Sequence, residues 1–167
     1  MNFDFMFLTP LALNKVSITE VLRCNETTSR FGLALSPAEA AELVETRTAA
    51  LNRTGRIEFA GGIIRKLIVR FCDSPYLDSH NYAETLNDLM ETFYYFKNET
   101  MDEVSDDELI TWMKQCFDQS CQGSLELLQS RDLENLARRI RFGMCEVTNP
   151  AEPEEEFEDE DEEDQDE

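Results

Sequence analysis

Apolar positions in this chain recur mostly three and four residues apart, the spacing of helices with one buried face. Between Ser36 and Arg53 the inner stripe is Ala40, Leu43, Val44 and Leu51, with Arg47 at its margin. Ser36 heads this segment, Pro37 takes the first helical position, and Glu39 follows three residues after the cap. The serine oxygen accepts from an orphan amide, the glutamate reaches back to the cap amide, and the N–H that proline lacks is not needed there. Gly55 supplies the stop, because glycine takes the left-handed conformation cheaply. A second face, Ile64, Leu67, Ile68 and Phe71, follows the paired Gly61 and Gly62 and leaves Arg65, Lys66 and Arg70 outside.

The longest helix is predicted from Asp78 or Ser79 to about Asn98. Its stripe is Tyr82, Leu86, Leu89, Phe93 and Phe96, broadened by Met90, Tyr94 and Tyr95. Ser105 and Glu108 form a further capping box, and Leu109, Ile110, Met113, Cys116 and Phe117 make the buried side of the helix it opens. A last helix carries Leu133, Leu136, Ala137 and Ile140 inward and ends at Gly143. Ser17 and Glu20 show the same capping-box spacing and predict a short helix starting at residue 17, with Ile18, Val21 and Leu22 on one side. Three segments alternate with period two instead: Phe3, Phe5 and Phe7; Phe31, Leu33 and Leu35; Ile57 and Phe59. They read as short strands. The expected fold is therefore mainly α, a compact single domain of five to six helices, with a small two- or three-stranded sheet left open beside them.

Charge divides the chain in two. Residues 152–167 hold thirteen Asp or Glu and no Lys or Arg. The whole sequence carries 36 acids against 15 bases, a net −21; without that segment 23 acids face the same 15 bases, a balance of −8. A helical globular domain over residues 1–148 and a disordered acidic tail over 149–167 are expected. This balance argues against nucleic acid as a partner, since affinity there comes largely from neutralising phosphates. No run approaches the roughly 20 apolar residues needed to cross a bilayer. Five cysteines, an odd number, and no export signal point to reduced thiols in the cytoplasm.

Candidate chemistry is sparse. His80 is the single histidine, so the Glu-x-x-His pairs of a carboxylate di-metal bundle are not available. Cys116 and Cys121 have the spacing of one zinc-ligand pair but lack two further ligands, and Cys116 falls on an apolar helix face. The acids at Asp102, Glu103, Asp106, Asp107 and Glu108 do not match a calcium loop and read as helix N-terminal charge. No catalytic residue, no metal and no cofactor are expected. Gly61 and Gly62 at a helix start, beside Arg65 and Lys66, are candidates to bind a small anion through free backbone amides. Tyr94, Tyr95 and Trp112 are candidate partner-binding aromatics, because four aromatics in a row cannot all face one stripe. Arg138, Arg139 and Arg141 form a candidate basic patch on the last helix.

Three stretches, residues 43–77, 95–118 and 123–143, resemble a bacterial family of unknown function, the domain of unknown function numbered 6323. The resemblance spans about residues 36 to 143. It implies a bacterial cytoplasmic setting and brings no activity, cofactor or catalytic residue with it. The sequence reads best as a non-enzymatic interaction or accessory protein with a protein partner. One alternative is an enzyme or small-ligand protein with an anion site near Gly61, Gly62 and Arg65; another is an acidic regulator competing for a basic partner. The tail follows the arginine-bearing helix directly, and a short tether gives a high effective concentration. The prediction is a transient, salt-sensitive contact: tail amide shifts at low ionic strength should respond to Arg138→Ala combined with Arg139→Ala.

Overall fold

The computed structural model of the protein describes residues 10–58 and 61–143. The acidic tail and its boundary, the alternating phenylalanines at positions 3, 5 and 7, Phe59 and Cys145 lie outside the described residues. Among the described residues eight α-helices occur in chain order: α1 Pro10–Arg23, α2 Asn25–Thr28, α3 Pro37–Thr54, α4 Gly62–Phe71, α5 Tyr82–Glu99, α6 Asp106–Asp118, α7 Leu125–Leu127 and α8 Glu134–Arg141. Six of them are eight residues or longer. Helix α3 packs against α5 and α1, and α4 packs against α6 and α5. Leu43 and Val44 from α3, Ile64, Leu67 and Ile68 from α4, Leu89 and Phe93 from α5, and Met113 and Phe117 from α6 are buried in the shared core. The rings of Phe71 and Phe117 meet edge to face at 5.6 Å.

The two strongest start signals act as the sequence implies. Ser36 and Ser105 both close full capping boxes, with Glu39 and Glu108 returning to the cap amides. Gly55 ends α3 in the left-handed conformation. The long helix α5 begins at Tyr82, slightly later than expected, because Asp78 and Asn81 close a turn in front of it. Asp78 Oδ1 accepts from the amides of His80 and Asn81, while Asn81 Oδ1 accepts from the amide of Asp78.

Two expectations are corrected. Ser17 does not cap a helix: α1 already runs from Pro10, with proline at its first position, and Ser17 is buried midway along it. Its hydroxyl accepts a hydrogen bond from Arg47 instead. Nor do residues 31–35 or 56–58 form strands; no strand occurs among the described residues. Ser29–Phe31 is a 3-10 turn, and an extended stretch follows in which Leu33 and Leu35 are both buried. The alternation reflects real burial at the two leucines though not at Phe31, which is exposed, and side chains rather than a neighbouring strand satisfy this backbone. Asn25 bonds both the N–H and the C=O of Leu35 at 2.8 Å, and Thr28 Oγ1 donates to the carbonyl of Leu33. Ile57 is exposed in the second segment.

The C-terminal stretch is one helical run in three parts: α7, a π-helical turn Leu128–Leu133, and α8. It is set off from α6 by Gly123, whose amide bonds the carbonyl of Phe117 at 2.8 Å with φ at +82°. A Cβ here would lie 2.6 Å from Cβ and Cγ of Tyr76. Gly123→Ala is expected to lower stability by more than about 2 kcal/mol, combining the left-handed penalty with the clash. A urea midpoint compared with wild type checks it.

Candidate functional site

At the start of α4 the chain turns its own polar groups inward. Glu58 Oε2 accepts from the Tyr94 hydroxyl at 2.7 Å and from the amide of Ile63 at 3.4 Å. Next to it lies Arg47, 4% exposed, whose Nη2 donates to Ser17 Oγ at 2.9 Å. Gly62 has φ at +47°, and a Cβ there would sit 2.7 Å from Glu58 Oε2 and 3.0 Å from Arg47 Nη1. The second glycine is therefore explained by two charged groups, buried Arg47 and half-buried Glu58, pressing on the backbone. Burial, then the hydrogen bond to Glu58 and its charge, push the Tyr94 hydroxyl well above its ordinary range, so it stays a donor. The helix N-terminus that the sequence offers to an external anion thus faces a carboxylate of the same chain.

The remaining candidate anion ligands line an open groove of about 830 Å³ between α4 and α6. Gly61, Gly62, Arg65, Lys66, Arg70 and Lys114 meet Glu20, Asp73 and Asp107 there. Most of its cations are engaged: Lys66 with Asp107 at 2.9 Å, Lys114 with Asp73 at 2.9 Å, and Arg70 with Thr111 Oγ1 at 2.8 Å. The Asp107 hydrogen bond raises the Lys66 ammonium. Arg65 is exposed and has no ion-pair partner among the described residues.

The candidate partner residues do not form one surface. Tyr94 is 2% exposed and engaged with Glu58, so it is not available as a surface aromatic. At 100° per residue, consecutive positions sweep around the helix, and α5 is covered on most sides: Phe93, Tyr94, Phe96 and Lys97 are all buried. Only Tyr95 of this run falls clear, 56% exposed and edge-on to Phe96 at 4.9 Å. Trp112 packs half-buried against the core. Arg138 and Arg139 are exposed, whereas Arg141 pairs with Glu99 and Glu134, each at 3.1 Å.

Tyr95 instead borders a second groove, about 630 Å³, between α5 and the C-terminal helical run. Asp88, Glu91, Thr92 and Phe96 line it from one side, and Leu125, Glu126, Gln129, Ser130 and Glu134 from the other. Gln129 Nε2 donates to Thr92 Oγ1 at 2.6 Å across its floor. The π-helical turn forms part of this wall, a distortion often associated with functional sites. Burial, then repulsion from Glu84 and Glu91, raise the Asp88 carboxyl. Asp88, Glu91 and Glu126 have no ion-pair partner among the described residues. The sequence reading overlooked this groove. Its only local signal was Asp88, Glu91 and Tyr95 at helical spacing on the outer side of α5.

A third polar cluster lies where α6 meets the π-helical turn. Asp132 accepts from Ser120 Oγ at 2.5 Å, Cys121 Sγ at 3.0 Å and Arg131 Nε at 2.7 Å. Burial pushes the Cys116 thiol up to about 12 and the Cys121 thiol up to about 11, so both remain protonated and Cys121 acts as a donor. Cys24 and Cys72 are also buried free thiols. Among the described residues no group of three or more His, Cys, Asp and Glu is placed to hold a metal ion. His80 is exposed in the turn before α5.

Burial opposes ionisation of Asp132, but the hydrogen bonds from Arg131, Ser120 and Cys121 and the Arg131 charge bring its carboxyl down to about 2. An unfolded aspartate titrates near about 4. The folded state therefore favours the ionised form, and its stabilisation is full above about pH 5 and fades as the pH falls towards 2. Asp132→Asn is expected to be less stable than wild type at neutral pH, with the gap closing across that window in urea midpoints measured at successive pH values.

No helix among the described residues is long and apolar enough to cross a membrane. No curated protein and no solved structure matches the chain. A family model does match, over residues 20–146, somewhat beyond the stretches that suggested it. The chain belongs to DUF6323, a family of unknown function.

Proposed function

We propose that this protein is a cytoplasmic interaction or accessory protein, without catalytic activity of its own, and that its partner docks in the groove between α5 and the C-terminal helical run. The observation that carries this reading is Tyr95, 56% exposed beside three carboxylates that have no ion-pair partner among the described residues. Exposed aromatics with a concave neighbour are the usual anchors of protein interfaces. Elsewhere the groups suited to chemistry are engaged with one another: Glu58 with Tyr94, Arg47 with Ser17, and Asp132 with Arg131 and Cys121.

A second reading has its own observation. Arg65, exposed and without an ion-pair partner among the described residues, stands in the α4–α6 groove next to Gly61, and supports a weak site for a small anion. The acidic-regulator reading rests on residues 152–167 alone.

Parallel affinity purification from native cells with wild type and Tyr95→Ala tests the main reading. A co-purifying protein retained by wild type should fall by at least about tenfold with the variant, the loss expected of an interface anchor. Phosphate-dependent thermal stabilisation abolished by Arg65→Ala would favour the anion reading instead.

A further inference from the structure

We infer that the α5 groove receives a basic segment of the partner, with an arginine or lysine side chain laid across Tyr95 and met by Asp88, Glu91 and Glu126. This inference rests on the docking face proposed above and adds the chemistry of its occupant.

Several carboxylates elsewhere on the molecule have cations near them, although Glu42, Glu45 and Glu103, like Asp88, Glu91 and Glu126, have no ion-pair partner among the described residues. Asp107 pairs with Lys66, Asp73 and Asp118 with Lys114, and Asp102 with Arg56. The α5 groove differs, because no Lys or Arg lines it. The one lining carboxylate matched from outside, among the described residues, is Glu134, which meets Arg141. Asp88 registers the imbalance: burial raises its carboxyl, and the negative charges of Glu84 and Glu91 raise it further. A positive group entering the groove relieves that repulsion, whereas an anionic ligand or nucleic acid phosphate adds to it.

The apolar parts of the groove narrow the choice of cation. Tyr95, Phe96 and Leu125 supply surface for an aliphatic stem, and the exposed tyrosine ring can stack against a guanidinium. The acids are not grouped to hold a metal ion. They are spread along α5 instead, with Asp88, Glu91 and Tyr95 at successive turns over about 10 Å of helix. That spacing suits side chains repeated along a peptide better than one small ion. Glu126 closes the opposite wall, so the occupant meets negative charge from both sides.

The test uses the full chain, labelled for amide NMR, and two synthetic helical peptides of about four turns. One has arginine on each turn with leucine beside it, and the other replaces every arginine with glutamine. The arginine peptide is expected to shift amides in Asp88–Phe96 and Leu125–Glu134. Its affinity should fall at least about tenfold in the combined Asp88→Asn, Glu91→Gln, Glu126→Gln variant and also in Tyr95→Ala. These are surface positions, and an unchanged amide spectrum elsewhere verifies each variant's fold. Shifts confined to residues 152–167, or affinity unchanged in the carboxylate variant, would overturn the inference. If the glutamine peptide binds the groove as tightly as its arginine counterpart, the docking face stands and the preference for a cation is wrong. If neither peptide shifts the groove, the docking face itself falls.

Discussion

Arg47 is the constraint around which this fold is arranged. A guanidinium that cannot be deprotonated and is almost wholly removed from water must be met by acceptors, or the cost runs to several kcal/mol. It sits on α3, one of the two longest helices, and its reach determines what surrounds it. On one side α1 supplies the Ser17 hydroxyl. On the other, Gly62 leaves no room for a Cβ, and Glu58 lies against the same backbone. Glu58 is in turn held by Tyr94 of α5 and by the amide of Ile63 in α4. Four helices and the segment before α4 meet at this polar cluster, which is buried at Arg47, Ser17 and Tyr94 and half-buried at Glu58. Removing one member leaves the others short of partners in a low dielectric, which is why such networks specify a unique arrangement.

That centre also shapes what the surface has left to offer. The glycine pair at the start of α4 looks from its residue types like an anion cradle, yet the carboxylate of Glu58 already faces the amide of Ile63. Tyr94 is drawn inward by the same carboxylate, and its neighbour Tyr95 is left outside by the turn of the helix. The asymmetry of α5 follows: one side joins the polar centre, the other carries an exposed ring and uncompensated acids. Lys66 and Lys114 answer acids across the α4–α6 groove, whereas no Lys or Arg lines the α5 groove, where Asp88, Glu91 and Glu126 have no ion-pair partner among the described residues.

Much of the helical framework was legible in the chain because its signals are local. The capping boxes at Ser36 and Ser105 need only four neighbouring residues, and the apolar stripes of α3, α4 and α6 need only their own period. The same locality explains the misreadings. Ser17 and Glu20 have cap spacing, but nothing within four residues reveals that the helix began at Pro10 or that an arginine thirty positions away needs the serine oxygen. Alternation at Phe31, Leu33 and Leu35 reported the burial of the two leucines but not the exposure of Phe31, and it hid that Asn25, not a strand, holds the backbone. The α5 groove was illegible for a similar reason. Its two walls come from segments far apart in the chain, and its shape includes a π-helical turn that no residue spacing announces.

Sequence by itself determined the helical class, most helix boundaries, the concentration of acid in residues 152–167, and the family. Those properties depend on hydrophobic period, capping chemistry and composition, which are carried by residues close together. Only the tertiary structure decided which polar residues are spent holding the fold and which remain at the surface. Tyr94 and Tyr95 are adjacent and carry the same side chain, yet one is bonded to the half-buried carboxylate of Glu58 and the other stands in solvent. The difference is a rotation of 100° about one helix axis, and it acquires meaning only when Glu58 arrives on one side and the C-terminal run on the other.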